Sequence, residues 1–539
     1  MSIATSLQKL SSDISNAYST IGTMGGTIPS DKNTNNLSTA ISSIPQGGGT
    51  PTAVEEKFVN FYDYDGTLLY SYTKAEYDNL TALPDLPSHT GLEADTWSYT
   101  KANLDTRVAW LNSRNALDCQ VSVGAMYKNT TSQYTNVIKI HITIGEEKRT
   151  PYINVASVSS SSGGPAVINV DWGDNTTGTL TEVGTGTRYN GYHTYSSSGD
   201  YVITLESNYK ITISSKYSTS DGYSLIGDGV NYAEGSSSTV YRNGVSMIEL
   251  YCRDTASLLT LGDNALGELQ CLEKCIIDRN VIFNGTSIFK NDKSLKALIF
   301  EVGYSKNFSS CYGCSSLELV IFANHEINSY SVRDLSAQAF YECNSLKNIE
   351  ILGGRYFASS GSQFYRCYSL KKFASDIYVN YSTSSSSSKS YIFYQCYSLK
   401  RVVLRTGYGG YIISGQYNQN NFAECNSLTQ IELDGFGTAT LGASSLRDCP
   451  SLSKIIMSNY NSNLKIPSDL WARCYNMKIL DCRGLGAIPT LSSTASNTFE
   501  GWPSDYQIIV PDDLYETWIA TTGWVDIASH IIKSSNYTE

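Results

Sequence analysis

Ala339-Phe-Tyr-Glu-Cys-Asn-Ser-Leu-Lys-Asn-Ile349 places an aromatic, a cysteine, a leucine and an isoleucine at every third position, and this order returns through the second half of the chain. Phe340, Cys343, Leu346, Ile349 and Ile351 set the register. Phe364, Cys367, Leu370 and Phe373 repeat it, followed by Phe393, Cys396, Leu399, Val402 and Leu404. Phe422, Cys425, Leu428, Ile431 and Leu433 come next, then Leu446, Cys449, Leu452, Ile455 and Met457, then Trp471, Cys474, Met477 and Leu480. Upstream, Phe289, Asp292, Leu295, Leu298 and Phe300 keep the frame with Asp in the cysteine slot, and Cys314, Leu317, Val320 and Phe322 also keep it. Leu266, Leu269, Leu272, Cys275 and Ile277 form the first clear copy.

From Cys343 to Cys474 the repeat cysteines follow one another at intervals of roughly 24–29 residues, which is the leucine-rich-repeat range. Such repeats stack into solenoids. Each turn supplies one short strand with Leu and Ile inward, while Phe and Cys from the preceding turn fill the same layer. Burying a large apolar side chain contributes roughly 1.5–3 kcal/mol, and no turn can bury its face alone. The wording A-F-x-x-C-x-S-L-x-x-I resembles the BspA-like leucine-rich repeats, whose copies are shorter and more regular. Insertions such as Ser382–Ser388 are expected as loops on one side.

The whole chain of 539 residues is too long for one core. The fold class expected is multidomain and mainly β. A helical attachment or oligomerisation module spans 1–45, and a Gly-rich linker 46–53. A small α+β module covers 54–119 and a PKD-like β-sandwich 120–207. The solenoid runs over 208–500, clear from about 266, and a C-terminal cap fills 501–539.

In the first module Ile3, Leu7, Leu10, Ile14, Ala17 and Ile21 form an a/d stripe. The stripe suits either a short hairpin packed on the next domain or a self-association seam. A homo-oligomer is expected from the second, with a trimer as the working guess. In the next module Phe58–Tyr62 and Leu68–Tyr70 read as strands joined at Asp65-Gly66, a hairpin turn signal, and Thr73–Leu80 as a capped short helix. Val137–Ile144, Ala166–Val170 and Tyr201–Leu205 alternate as sandwich strands do. Val170-Asp-Trp-Gly-Asp174, His193-Thr-Tyr195 and Gly199-Asp-Tyr-Val-Ile203 resemble PKD-like domains, with Asn175 where that family has Gly. The resemblance makes Trp172 and Tyr195 core anchors. At the other end, Tyr506–Asp513 gives a last strand and a helix N-terminus, and Leu514, Trp518, Ile519, Trp524, Ile527 and Ile531 make amphipathic faces that seal the solenoid.

Charged residues make up 17% of the chain, and polarity comes instead from Ser, Thr, Asn, Gly and 40 Tyr. Tyr gives large contact area at low entropic cost, which suits a binding surface. The net charge of −11 argues against nucleic acid or an anionic membrane as partner. No apolar run approaches the roughly 20 residues of a membrane span. The first residues lack a basic stretch followed by an apolar one, so no signal peptide is expected, and synthesis in a cytoplasm without the usual export is.

Motifs that carry chemistry are few. Asp63-Tyr-Asp-Gly-Thr67 matches the first motif of haloacid-dehalogenase-type phosphohydrolases, where Asp63 would be nucleophile and Asp65 general acid. Ile509-Val-Pro-Asp512-Asp513 is a conceivable later acidic pair. Such enzymes need a doubly wound α/β domain between the motifs, whereas here a sandwich and a solenoid intervene. Cys311-x-x-Cys314 offers two ligands where zinc wants four. His89, His141, His193, His325 and His530 are scattered, and Asp171 and Asp174 read as turn caps rather than a Ca²⁺ site. The thirteen Cys are an odd number, mostly at one repeat position, so buried free thiols are expected. No enzyme, cofactor or metal is expected.

Tyr365, Tyr368, Tyr394, Tyr397, Tyr408, Tyr411 and Tyr417 cluster within a few repeats and fall outside the inward frame. They are the candidate ligand site, for a host surface protein or a glycan. The order of parts resembles bacteriophage tail and fibre proteins, which implies a virion structural protein that recognises a host and meets other virion proteins through its N-terminus. The alternative is a bacterial cell-surface adhesin of the BspA-like type.

Overall fold

The structure is a computed structural model of the chain. Within 1–56 it describes Ile14, Tyr18 and Asn36. Beyond them it describes 57–538 apart from 130–131, 147–149, 156, 160–165, 184–187, 215, 218–220, 223–224, 229–243, 254–258, 302–306, 309–310, 324–333, 336–337, 352–355, 358–361, 376–391, 406–420, 423, 438–445 and 461–463. The chain forms two units, Met1–Glu56 and Lys57–Glu539. In the first, Ile14, Tyr18 and Asn36 are helical and Tyr18 is buried. Ile3, Leu7, Leu10 and Ile21 lie outside the described residues, as does the Ser382–Ser388 insertion.

The second unit is mainly β, with a leucine-rich-repeat β-solenoid in its C-terminal part and further β-sheet before it. It opens with a four-stranded sheet in the order β2-β1-β4-β3, made of β1 (Val59–Tyr62), β2 (Leu68–Tyr72), β3 (Glu93–Trp97) and β4 (Val121–Lys128). The hairpin at Asp65-Gly66 forms, with Gly66 at φ 85°, and Thr73 caps α1 (Lys74–Asp78) through a reciprocal pair with Glu76. Leu104, Val108 and Leu111 of α2 (Lys101–Ser113) enter the core with Phe58, Phe61, Trp97 and Tyr127.

The boundary expected at residue 119 does not hold for this sheet. Strand β4, expected in the sandwich, pairs parallel with β1 and antiparallel with β3. Seven of its eight residues are buried, as befits a central strand covered on both faces.

The next strands do not form a separate bead. Val245–Cys252 pairs antiparallel with Asn136–Ile144 on one edge and parallel with Lys274–Ile277 on the other. Lys210–Ile213 likewise pairs with Ser157–Ser159 and, in parallel, with Leu259–Leu261. Two sheets therefore run from the 136–213 region into the first turns of the solenoid, leaving no break at residue 207. Trp172 and Tyr195 are buried, and Tyr195 donates its hydroxyl proton to the Trp172 carbonyl at 2.7 Å. Asp171 and Asp174 accept from the Gly173 and Thr176 amides, as turn caps do, and Asn175 takes φ 69°.

Parallel strands stack onward through Ala297–Glu301, Leu319–Ala323 and Asn348–Ile351, and again from Lys372–Ser375 through Arg401–Arg405, Gln430–Gly437, Lys454–Tyr460 and Ile479–Gly484. Gln507–Val510 and Ile531–Lys533 extend the same sheet, under buried Trp518 and Trp524. Inside, Phe340, Phe364, Phe393 and Phe422 stack at 5.5, 5.0 and 5.1 Å, which follows the roughly 4.8 Å between strands.

The outer face of this sheet is largely occupied by the chain itself. Ala297, Ile299, Leu319 and Ile321 pack with Met126 of β4, while Tyr251, Ile276 and Val403 join the core of the N-terminal sheet. At Gly124 a Cβ would collide with the Ile299 side chain, so only glycine permits the approach. Polar contacts continue the interface along α2. Glu350 accepts from Arg107 Nε at 2.9 Å and Tyr99 Oη at 2.8 Å, Arg114 meets Asp434 at 2.8 Å, and Arg401 meets Asp118 at 2.6 Å.

Candidate functional site

The solenoid turns change direction through a left-handed residue just before the cysteine slot, and in several of them a second left-handed residue stands before the inward aromatic. Gln338, Ser362 and Ser287 precede Phe340, Phe364 and Phe289 by two positions, with φ between 58° and 78°. Glu342, Arg366, Gln395, Glu424, Asp448 and Arg473 precede the cysteine, with φ between 59° and 62°. This sharp turn directs Phe inward and leaves its Tyr neighbour on the edge. It also brings each cysteine under the previous turn. Cys314 donates to the Phe289 carbonyl at 2.8 Å, Cys396 to Phe364 at 3.0 Å and Cys425 to Phe393 at 3.0 Å. Asp292, in the same slot, accepts from the Leu269 amide at 2.7 Å.

All thirteen cysteines are free, and burial pushes the Cys474 thiol up to about 12. Cys311 and Cys314 are packing residues. No group of three potential ligands that could hold a metal occurs among the described residues.

On the edge, Tyr312, Tyr341, Tyr365 and Tyr394 form one stacked row, at centroid distances of 4.9, 4.5 and 5.2 Å. Tyr368 and Tyr397 form a second, at 5.3 Å and 4° between planes. Beside them runs a polar ladder. Arg366 bridges Glu342 at 2.9 Å and Gln395 at 2.8 Å, Gln395 donates to Glu424 at 2.9 Å, and Tyr394 donates to Glu424 at 2.6 Å. The Tyr394 and Gln395 donors hold the Glu424 carboxyl below its usual range, whereas burial and then the neighbouring Tyr365 push Tyr341 up to about 12.

Four of the seven tyrosines expected as a ligand site are thus brought together, while Tyr408, Tyr411 and Tyr417 lie outside the described residues. Sequence reasoning missed Tyr312 and Tyr341, although each stands two positions before a repeat cysteine, as Tyr365 and Tyr394 do. It also missed Tyr475, which follows Cys474 as Tyr368 follows Cys367 and is exposed. Stacking covers the ring faces with one another, so what the rows leave accessible is mainly edges and hydroxyls.

The phosphohydrolase-like motif has a different setting. Asp63 closes a hairpin with Thr67, and its carboxylate meets His89 Nε2 at 2.6 Å and Tyr127 Oη at 2.5 Å. Asp65 is paired with Lys274 at 3.1 Å. Asp512 caps Ser534 and Ser535 in the last unit.

The BspA-type leucine-rich-repeat region model matches in six copies, over residues 238–351, 322–411 and 414–516, more than half the chain. The chain belongs to the BspA-type leucine-rich-repeat family. No curated protein matches this BspA-type chain. Among solved structures it is similar to a leucine-rich cell-surface protein from Faecalibacterium prausnitzii A2-165, at 12% identity over 47% of this chain and 87% of the other. The TM-score is 0.18, too low to carry an inference from one molecule to the other.

Proposed function

We propose that this BspA-type protein is a non-enzymatic recognition protein of the bacterial surface-adhesin kind, gripping a protein partner along its tyrosine edge. The observation that carries this reading is the pair of stacked rows, Tyr312-Tyr341-Tyr365-Tyr394 and Tyr368-Tyr397, beside the Glu342–Glu424 ladder. Their hydroxyls and edges suit hydrogen bonding to a protein more than face stacking on a sugar. The outer sheet face is largely taken up by β4 and α2, which leaves the turn edge for a partner. No catalytic role is proposed, because Asp63 sits in a hairpin and its partners are a histidine and a tyrosine that fix it in place. The Trp172–Tyr195 core is proposed to belong to a PKD-like domain.

A second reading places the same recognition surface on a bacteriophage particle. It is favoured by Met1–Glu56 forming a unit of its own, suited to attachment or to trimerisation through Ile3, Leu7, Leu10, Ile14 and Ile21. In both readings no nucleic acid, membrane insertion or cofactor is involved.

The test is binding of the labelled full chain to intact bacterial cells and to purified virions, against a Tyr368→Ser/Tyr397→Ser variant of unchanged melting temperature. Loss of binding in the variant supports the edge, and equal binding sinks it. Mass spectrometry of cell-wall and particle fractions decides where the protein is displayed.

A further inference from the structure

A cleft of about 680 Å³ opens between the C-terminal end of α2 and the outer face of the solenoid sheet. Its size is that of a small-molecule site. Register sets Glu432, Ile456 and Asp481 side by side on three adjacent strands to form the floor, with Gln430 and Lys454 one step along. Arg114 closes one wall, and Tyr537, under the Arg483 guanidinium at 5.3 Å, forms another.

Glu432 is the unusual member. Its side chain is only 3% exposed, yet its closest cation, Arg114 Nη1, is 3.6 Å away and its Oε2 has no hydrogen-bond partner in the protein. The neighbouring guanidinium groups are engaged elsewhere. Arg114 serves Ser458 at 2.8 Å and Asp434 at 2.8 Å, Arg401 serves Asp118 at 2.6 Å, and Arg483 serves Asp481 at 2.6 Å. An unpaired oxygen in a buried carboxyl group is costly, and Glu432 lines the cleft, so a ligand that supplies a donor there relieves the cost. Arg114 and Arg401 meet their acids at terminal nitrogens, while their Nε atoms have no hydrogen-bond partner and Lys454 also lines the cleft, so the cleft offers donors as well as acceptors. Its lining of amide, carboxylate, guanidinium, one aliphatic and one aromatic side chain fits a molecule rich in hydroxyls.

We propose that this cleft binds a short uncharged saccharide, with Glu432 accepting hydrogen bonds from its hydroxyls and Tyr537 packing against a sugar ring. The site is separate from the tyrosine edge and does not depend on it. Saturation-transfer NMR and calorimetric titration of the full chain with maltotriose, cellotriose and chitotriose test it, with N-acetylneuraminic acid and inorganic phosphate as anionic probes. At least one neutral trisaccharide is expected to bind, and Glu432→Ala and Tyr537→Ala each to weaken it roughly tenfold or more, while Tyr397→Ser leaves it unchanged. Tyr537 is peripheral, so its variant carries the test should Glu432→Ala fail to fold, and melting curves report on both. The proposal fails if no neutral trisaccharide binds at about 10 mM, if only the anionic probes bind, or if Tyr537→Ala and every folded Glu432 variant bind as the parent does.

Discussion

Arg107 Nε lies 2.9 Å from Glu350 Oε1, and both side chains are 3% exposed although 243 residues separate them. This ion pair fastens α2 to the outer face of the solenoid, while Tyr99 Oη also donates to Glu350 and Arg107 Nη2 donates to the Ala374 carbonyl. Removing one partner strands a buried charge. Glu350→Ala is therefore expected to destabilise the second unit by about 3–5 kcal/mol. An Arg107→Met/Glu350→Leu double variant is expected to recover most of that loss. Denaturant unfolding with hydrogen exchange over 101–113 measures both, and a mild single-variant effect counts against the pair as the fastener.

Burial raises the Glu432 carboxyl from its usual 4.5 to about 7, against the pull of Arg114 and Arg401 and helped by Asp434. The folded protein thus holds this proton at pH values where the unfolded chain has released it. The contribution of Glu432 is most favourable below about pH 4.5, declines as pH rises toward 7, and is level above that. Glu432→Gln is expected to flatten this part of the profile and to gain on the order of 2 kcal/mol over the parent at pH 8 relative to pH 4. The difference between the two stability curves is the measurement, and parallel curves refute the assignment.

The cysteine column makes a labelling prediction. Cys271 is the exposed thiol and Cys119 is half-buried, while the other cysteines are buried. Thiolate is the reactive form, and burial pushes thiols such as Cys275, Cys396 and Cys482 well above their ordinary range. N-ethylmaleimide at neutral pH is expected to modify Cys271 quickly, Cys119 slowly and the repeat cysteines only on unfolding. Peptide mass spectrometry reads this directly. Rapid labelling of Cys396 in the native state contradicts the packing described.

Ser362 holds φ 78° with an ordinary side chain. Left-handed backbone costs a non-glycine residue about 1–2 kcal/mol. Ser362→Gly is expected to raise the melting temperature and Ser362→Val to lower it, whereas at an extended position the order reverses and Gly is the damaging change.

The repeat was legible because its inward positions must be apolar in every turn, and Phe340, Cys343 and Leu346 show this without help from the fold. The covered outer face was also written, less loudly. Ala297-Leu-Ile-Phe300 and Leu319-Val-Ile-Phe322 are unbroken apolar runs rather than alternating ones, the mark of strands buried on both sides. What covers that side cannot be read locally, because Met126 of β4 stands far upstream of Ile299 in the chain. For the edge, periodicity located the tyrosines but not their stacking, which depends on the left-handed turn at positions such as Glu342 and Arg366. The Glu432 cleft depends on a helix end and a strand meeting across the sequence, and no motif announces it.

Val245–Cys252 is hydrogen-bonded along both edges, to Asn136–Ile144 and to Lys274–Ile277. The sheet before the repeats and the first turns of the solenoid are therefore expected to melt as one cooperative body. A cut at residue 207 parts this strand from Asn136–Ile144 and leaves a sheet edge bare on both pieces, so neither piece is expected to behave as a self-sufficient domain.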